Sequence, residues 1–338
     1  MRLLILGGTR FAGRHLAAAA LDAGHEVTLF NRGISNVEIF PQAERLCGDR
    51  DREGDLRAAF AGRRWDAVID CCGYRPEQVA AAARWLGGAV ERYVFLSTIS
   101  VYADFAVGPD EGSPLKQPLA DGEGRVDERY GSLKARCEEV LERALPGRVL
   151  VVRPGLLIGP HDRTQRFAWW VQRVAVGGEV LAPGRPQHPL QLIDARDLAA
   201  WILQMLAQGA TGCFNATSPR GRQTFGGLLE TCRAVAASEA RFTWVSAGFL
   251  AARGVSPMDD LPLWLPEEAH GFYAVDTARA VAAGLRLRPL AHSVRAVLAE
   301  APGGQPAVAA PTARLSPQRE AELMREWQST GSARNAPI

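Results

Sequence analysis

A chain of 338 residues exceeds the roughly 250–300 at which a single core stops growing, so one large domain carrying a smaller lobe is expected. Its 47% hydrophobic and 22% charged residues are those of a globular protein, and no apolar run approaches the roughly 18 residues of a membrane-spanning helix, which excludes a helical membrane protein. With 39 basic against 37 acidic residues the net charge is +2, so no global field draws the chain to nucleic acid or anionic lipid, and anion binding must be local.

The chain opens on an apolar run, residues 3–6, that passes straight into Gly7-Gly8-Thr9-Arg10-Phe11-Ala12-Gly13 and then into helical spacing over 10–23. Glycines at such a strand-to-helix turn bend it sharply and let a diphosphate approach the backbone, where the helix offers N–H groups and a positive dipole end. Gly7, Thr9, Arg10, Phe11, Ala12 and Gly13 are therefore expected to hold a dinucleotide. Because Arg10 and the glycines interrupt the run, it does not read as a signal peptide, and a cytoplasmic protein is expected.

The second strand, 26–31, ends in Asn31-Arg32-Gly33, where an NAD-preferring site would place Asp or Glu against the ribose. Arg32, helped by Arg10, can instead hold a 2′-phosphate through charge-assisted hydrogen bonds, which favours NADP(H) over NAD(H). A solvated surface arginine is the competing reading. A third strand, 45–48, leads to Asp49-Arg50, where the carboxylate can accept from an adenine amino group or can cap the following turn.

Further strands are expected at 67–70, 93–97 and 149–153, with helices at 76–86, opened by a proline, and at 130–145. The alternation is that of βαβ units, and nearly continuous apolar runs suit parallel strands covered on both faces. After the fifth strand comes Ser97-Thr98-Ile99-Ser100-Val101-Tyr102, and then Tyr130-Gly131-Ser132-Leu133-Lys134. Tyr130 and Lys134, four apart, share a helix face. An ammonium beside the phenol is expected to lower its pKa, making Tyr130 a usable acid or base, while the Thr98 hydroxyl shares charge developing on a substrate oxygen. Thr98, Tyr130 and Lys134 are the expected catalytic residues, and Lys134 can also bind the nicotinamide ribose.

Beyond Gly159 the pattern changes, and segments 160–190 and 216–300 read as a discontinuous substrate lobe around a returning strand–helix–strand at about 191–215. Residues 301–314 read as a Pro/Gly/Ala-rich linker, 315–328 as a docking helix, and 329–338 as a frayed tail. Six cysteines without a CxxC pair, and histidines that do not cluster, argue for neither a zinc site nor a disulfide framework, so no metal is expected. Phe167, Trp169, Trp170, Trp264 and Phe272 could line a pocket, although aromatics at these spacings more often fill a core. Asp162 would cap the helix leading to Trp169, with His161 a candidate catalytic residue beside it.

In Gly7 to Gly13, Ser97 to Tyr102, Tyr130 to Lys134, Arg153-Pro154-Gly155 with Gly159-Pro160, residues 194–199 and 276–290, the chain resembles the extended short-chain dehydrogenase/reductases, and within them a subgroup whose glycine motif reads GGTRFxG. The resemblance covers nearly the whole chain. It implies a Rossmann-type α/β fold, a doubly wound parallel sheet at 1–159 plus about 191–215, with a smaller C-terminal substrate lobe. It also implies that Pro154 stands beside the nicotinamide, that Cys72 lies along the cofactor, and that Tyr74 and Ser100 approach the substrate with Thr98 and Tyr130.

Departures from the pattern bear on the reaction. Ile99 and Ser100 replace the Asp-Glu pair of nucleotide-sugar dehydratases, while Leu156-Leu157 and Pro189-Leu190-Gln191 replace an Asn and an Arg of sugar-nucleotide epimerases. The expected function is an NADP(H)-dependent carbonyl reductase or alcohol dehydrogenase acting on a small metabolite. An NAD(P)-dependent epimerase or dehydratase of a sugar nucleotide is the alternative, followed by a non-catalytic cofactor-bound or RNA-binding protein using a basic stripe at Arg163, Arg166 and Arg173. Nucleic acid is not the expected partner, and monomer and homodimer both stay open.

Overall fold

The computed structural model describes residues 1–119, 126–300 and 314–334, so the expected 301–314 linker, apart from Arg314, and the last four residues of the expected tail lie outside the described residues. In chain order the elements are β1 (Arg2–Leu6), α1 (Phe11–Asp22), β2 (Glu26–Asn31), β3 (Glu44–Cys47), α2 (Glu53–Phe60), β4 (Trp65–Asp70), α3 (Pro76–Leu86), β5 (Val90–Leu96), α4 (Val126–Ala144) and β6 (Val149–Pro154). There follow β7 (Leu156–Ile158), α5 (Arg166–Val176), β8 (Glu179–Pro183), β9 (Pro189–Leu190), β10 (Leu192–Asp194), α6 (Ala195–Ala207), β11 (Gly212–Ala216), β12 (Gln223–Thr224) and α7 (Phe225–Ala236). The last are β13 (Arg241–Val245), α8 (Ala247–Ala252), α9 (Ala278–Ala282), α10 (Leu290–Glu300) and α11 (Pro317–Arg334). α2 is the helix expected after Asp49, for which the sequence reading set no bounds, and α11 continues through 334, beyond the expected end at 328.

Two compact units emerge. The first comprises Met1–Leu157, Leu192–Pro219 and Val275–Leu287; the second comprises Ile158–Gln191, Arg220–Ala274 and Arg288–Ile338. Residues 275–287 therefore return to the first unit, whereas the sequence reading left them in the lobe. The reason is polar as well as apolar: the Asn215 amide Nδ2 donates to Asp276 O at 3.0 Å, Trp201 Nε1 donates to Ala283 O at 3.2 Å, and Ala280 and Leu285 join the core of the first unit.

The first unit is a seven-stranded sheet ordered β11-β6-β5-β4-β1-β2-β3, each neighbouring pair parallel. Parallel pairing demands crossovers, and crossover helices cover both faces, so β1 and β6 are buried almost throughout. One face packs Leu3, Ile5, Leu29, Ile69 and Val94 with α1 and α6; the other packs Leu4, Leu6, Val68, Tyr93 and Phe95 with α2, α3 and α4. This is the Rossmann-type arrangement the sequence implied, and it gathers the carboxyl ends of all seven strands along one edge.

In the second unit β8 pairs in parallel with β13 and β9 antiparallel with β12. α11 is fastened to this unit by a buried charge: Glu320, 3% exposed, accepts from Arg173 Nε at 2.6 Å and from the Leu181 amide at 2.9 Å. Arg314 donates to Met258 O, Asp259 O and Thr164 O at 2.7–2.9 Å, and Trp327 packs edge-on against Phe249. Removing one partner of a buried pair strands the other charge, so Glu320→Ala is expected to lower stability by about 3 kcal/mol. Thermal and urea melts followed by circular dichroism check this, and an unchanged midpoint would mean that α11 is held by its apolar contacts alone.

Candidate functional site

The first βα turn has the backbone that its glycines permit. Gly7 and Gly8 take φ of 102° and 84°, and a Cβ on Gly13 would stand 2.8 Å from the Gly8 nitrogen, so only glycine lets the first turn of α1 close onto the loop. The Asn31 side chain braces this turn: Nδ2 donates to Gly7 O at 3.1 Å and Oδ1 accepts from the Gly33 amide at 2.9 Å. Asn36 Nδ2 donates to the carbonyl of the buried Thr9 at 2.7 Å. Phe11 starts α1 at φ 28°, Ala12 packs on the core behind it, and the first turn carries no acidic residue to offset its positive end.

Two arginines flank the turn. Arg10 donates Nε to Ser35 Oγ at 3.0 Å, whereas Arg32 is exposed and has no hydrogen-bond or ion-pair partner among the described residues. Asp49 takes the second of its two expected readings, that of a turn residue, and Arg50, expected with it to bind the cofactor, is directed elsewhere. Asp49 Oδ1 closes a local turn by accepting from the Asp51 amide at 3.0 Å. Arg50 is turned onto the fully buried Asp70, with Nη1 and Nη2 at 2.7 and 2.9 Å from its two oxygens, and it donates further to Cys72 Sγ at 3.2 Å. A buried carboxylate needs such compensation, and Asp70 also accepts from Tyr93 OH at 2.7 Å and the Cys72 amide at 3.0 Å.

Burial pushes the Cys72 thiol up to about 11, so it is no thiolate at neutral pH. Its sulfur lies 3.6 Å from where a Cβ on Gly7 would be, which sets Cys72 against the glycine turn. Asp70 and Tyr93 escaped the sequence reading. An aspartate closing an apolar strand was their only signal.

The Ser97–Tyr102 segment and α4 meet closely. Thr98, 9% exposed, caps a short 3-10 turn at Ile99–Val101 by accepting from the Ser100 amide at 3.1 Å. Gly131 permits the approach, because a Cβ there would overlap the Ser100 carbonyl. Tyr130, its neighbour in sequence, hydrogen-bonds the Thr98 side chain, while Pro154 ends β6.

Lys134 is 2% exposed and donates to Gly73 O at 2.8 Å and to Leu96 O at 2.6 Å, with its ammonium 4.0 Å from the Phe95 ring centre and 5.7 Å from that of the exposed Tyr74. Lys116 and Lys134 are the only lysines among the 39 basic residues of the chain. Burial pushes Lys134 down to about 8, against the opposing charge of Asp70.

The phenol differs from expectation. Although 37% of Tyr130 is exposed, burial pushes its hydroxyl up to about 12; the nearby Tyr74 phenol acts in the same direction, and the Thr98 hydrogen bond only partly opposes them. Lys134 is not among the groups that shift it, and its ammonium is directed at two backbone carbonyls. The expected lowering is thus corrected to a rise.

Several other candidates are engaged within the second unit. His161 pairs with Glu300 at 2.5 Å, Asp162 closes a turn onto Thr164 ahead of α5 without capping it, and Phe167, Trp170 and Trp264 are buried. Arg173, tied to Glu320, is withdrawn from any basic stripe. Among the described residues no three His, Cys, Asp or Glu side chains are grouped to hold a metal, and no helix is long and apolar enough to cross a membrane.

Phenolate absorbance compared between wild type and Tyr130→Phe is expected to show no ionisation of Tyr130 up to about pH 10.5 in the cofactor-free protein. A midpoint below pH 9 would mean that the Lys134 charge does reach the phenol.

Known proteins supply the remaining context. The description of the NAD dependent epimerase/dehydratase family matches residues 3–216. The chain is 26% identical over 246 residues to the chloroplast stem-loop binding protein of 41 kDa b of Arabidopsis thaliana, covering 68% of this chain and 62% of that protein. It is 28% identical over 194 residues to a UDP-glucose 4-epimerase of Neisseria meningitidis serogroup C, covering 48% and 54%. It is 24% identical over 215 residues to the 2'-dehydrokanamycin reductase of Streptomyces kanamyceticus, covering 61% and 58%. The chain thus spans less than two thirds of the length of each of these relatives.

Among solved structures, the UDP-glucose 4-epimerase of Thermotoga maritima with UDP-glucose superposes with a TM-score of 0.67 at 16% identity, over 89% of this chain and 98% of that one. The UDP-glucuronic acid 4-epimerase of Bacillus cereus in complex with NAD gives 0.64 at 14% identity, over 89% and 98%. At such identities the likeness is one of fold. The sequence match over more than half the chain is one of descent, and the protein belongs to the NAD-dependent epimerase/dehydratase family.

Proposed function

We propose that the protein is an NAD(P)-dependent epimerase that inverts a hydroxyl-bearing carbon of a sugar nucleotide or a related sugar-like substrate. The observation that carries this reading is the Tyr130–Thr98 hydrogen bond one helical turn from the buried Lys134, on the sheet edge that also bears the glycine turn. UDP-sugar 4-epimerase names among both relatives and solved structures support it.

Gly7, Thr9, Phe11, Ala12 and Gly13 would hold the diphosphate at the start of α1, with Arg10 beside it and Asn31 bracing the turn. Arg32 would face a 2′-phosphate, Asp49 the adenine side, Lys134 the nicotinamide ribose, and Cys72 and Pro154 the nicotinamide. The glycine cradle, which a Cβ would fill, and the unpartnered Arg32 fit such a group. When bound, an oxidised dinucleotide supplies a hydride acceptor and a positive charge that favours the phenolate. Tyr130 then takes the substrate hydroxyl proton as the carbon is oxidised and returns it when the carbonyl is reduced from the other face. Thr98 donates to the same oxygen, and Ser100 and Tyr74 flank it.

A second reading, an NADP(H)-dependent reductase of a small metabolite, is favoured by Arg32 just after β2 and by the likeness to a 2'-dehydrokanamycin reductase. Net cofactor turnover separates the two. Incubation with UDP-sugars should give epimers, detected by proton NMR, without lasting change in nicotinamide absorbance. Stoichiometric oxidation of NADPH by carbonyl substrates would establish the reductase. Failure to bind either dinucleotide, with salt-sensitive retention of stem-loop RNA, would overturn both.

Arg32→Ala is expected to weaken NADPH binding by about tenfold or more while leaving NADH within about twofold. Equal losses in fluorescence titrations would remove the 2′-phosphate role.

A further inference from the structure

Lys134 and Glu138 stand four apart on α4, on one face of the helix. Glu138 is 6% exposed, and its carboxylate receives three groups: Ser97 Oγ, Arg153 Nε at 3.1–3.2 Å, and Arg153 Nη2 at 2.6 Å. Ser97 immediately precedes Thr98, and Arg153 immediately precedes Pro154. The other arm of Arg153 donates to Tyr102 OH at 3.0 Å, which donates to Asn215 Oδ1 at 2.6 Å, at the end of β11. Arg153, Tyr102 and Asn215 are buried to 4%, 0% and 0% exposure.

We infer that Glu138 is a positioning residue for this site: one buried carboxylate ties the carboxyl ends of β5 and β6, and so Thr98 and Pro154, to the helix turn that carries Lys134. This deepens the proposed redox reading and rests on it, but its geometry involves neither substrate nor dinucleotide.

The carboxylate also acts through its charge. Lys134 is faced by Asp70 from the end of β4, by Arg50 from the loop after β3, by Cys137 and Glu138 from α4, and by the rings of Phe95 and Tyr74. Burial disfavours its ammonium; Asp70, Cys137 and Glu138 favour it, and Arg50 opposes them. Replacing Glu138 by a neutral residue therefore makes Lys134 easier to deprotonate, an effect that a purely mechanical brace would not produce.

With only Lys116 and Lys134 in the chain, carbon-13 labelling of lysine gives two side-chain signals, and Lys116→Arg identifies them. In the full-length protein, Glu138→Gln is expected to move the Lys134 titration midpoint down by about half a pH unit or more. A folded Glu138→Gln whose Lys134 midpoint is unmoved or raised overturns the role.

Should that variant not fold because it strands the buried Arg153 charge, Glu138→Gln combined with Arg153→Met removes both charges. Its Lys134 midpoint is still expected below that of wild type, since Glu138 is among the leading groups acting on Lys134 and Arg153 acts less. An equal or higher midpoint overturns the role there too. The titration needs no turnover, so a wild-type protein that binds no dinucleotide would sink the proposed function while leaving this measurement decisive for Glu138.

Discussion

Parallel pairing is the constraint on which the rest of the first unit depends. A parallel strand cannot turn directly into its neighbour, so every crossover returns the chain to the same starting edge and leaves all carboxyl ends at the other. Gly7 after β1, Asn31 in β2, Cys72 after β4, Thr98 after β5, Pro154 in β6 and Asn215 in β11 line one edge for that reason, although 208 positions separate Gly7 from Asn215. The ladder continues past the strands, with Gly7 N, Cys71 N and Ser97 N donating to Phe30 O, Leu6 O and Val152 O, so these loops inherit the rigidity of the sheet.

A cost accompanies this gathering. Helices on both faces exclude water, and each charge at the strand ends must be met within the protein. Two arginine–carboxylate pairs do this, Arg50 with Asp70 and Arg153 with Glu138, on either side of Lys134. They are supported by Tyr93 on one side and by Ser97 and Tyr102 on the other, so most of their oxygens and N–H groups have partners. Among the described residues, the buried Arg50 Nε of this set is without one.

The sheet was legible because periodicity reports it. Runs of Leu, Ile and Val at 3–6, 67–70 and 149–153 are the mark of doubly covered strands, and the glycine spacing at Gly7 to Gly13 has a steric reason that the Gly13–Gly8 approach makes explicit. Spacing also gave the shared face of Tyr130 and Lys134. It could not give the direction of the ammonium, which depends on the carbonyls of Gly73 and Leu96, nor the partner of Arg50, which depends on a carboxylate 20 positions away. The return of residues 275–287 to the first unit was illegible for the same reason, since it turns on Asn215 reaching Asp276 O. Local pattern encodes elements; the partners of buried polar groups are set by tertiary proximity.

The two shifted groups bear on how one tyrosine would serve both halves of the proposed epimerisation. In the ligand-free protein Tyr130, near 12, holds its proton at neutral pH, and Lys134, near 8, is mostly still charged. The site so arranged is a proton donor. A nearby positive charge would ease loss of the phenol proton, but the Lys134 ammonium is directed at Gly73 and Leu96, and Arg50 and Arg153 are paired with Asp70 and Glu138. Under the proposed function, the direction of proton transfer at Tyr130 would be set by the charge a bound dinucleotide brings beside it: a positive charge would favour the phenolate, and a neutral one the phenol. Proton and hydride transfer would then be coupled through electrostatics, with Thr98, bonded to the phenol, placed to hold the substrate oxygen in both directions.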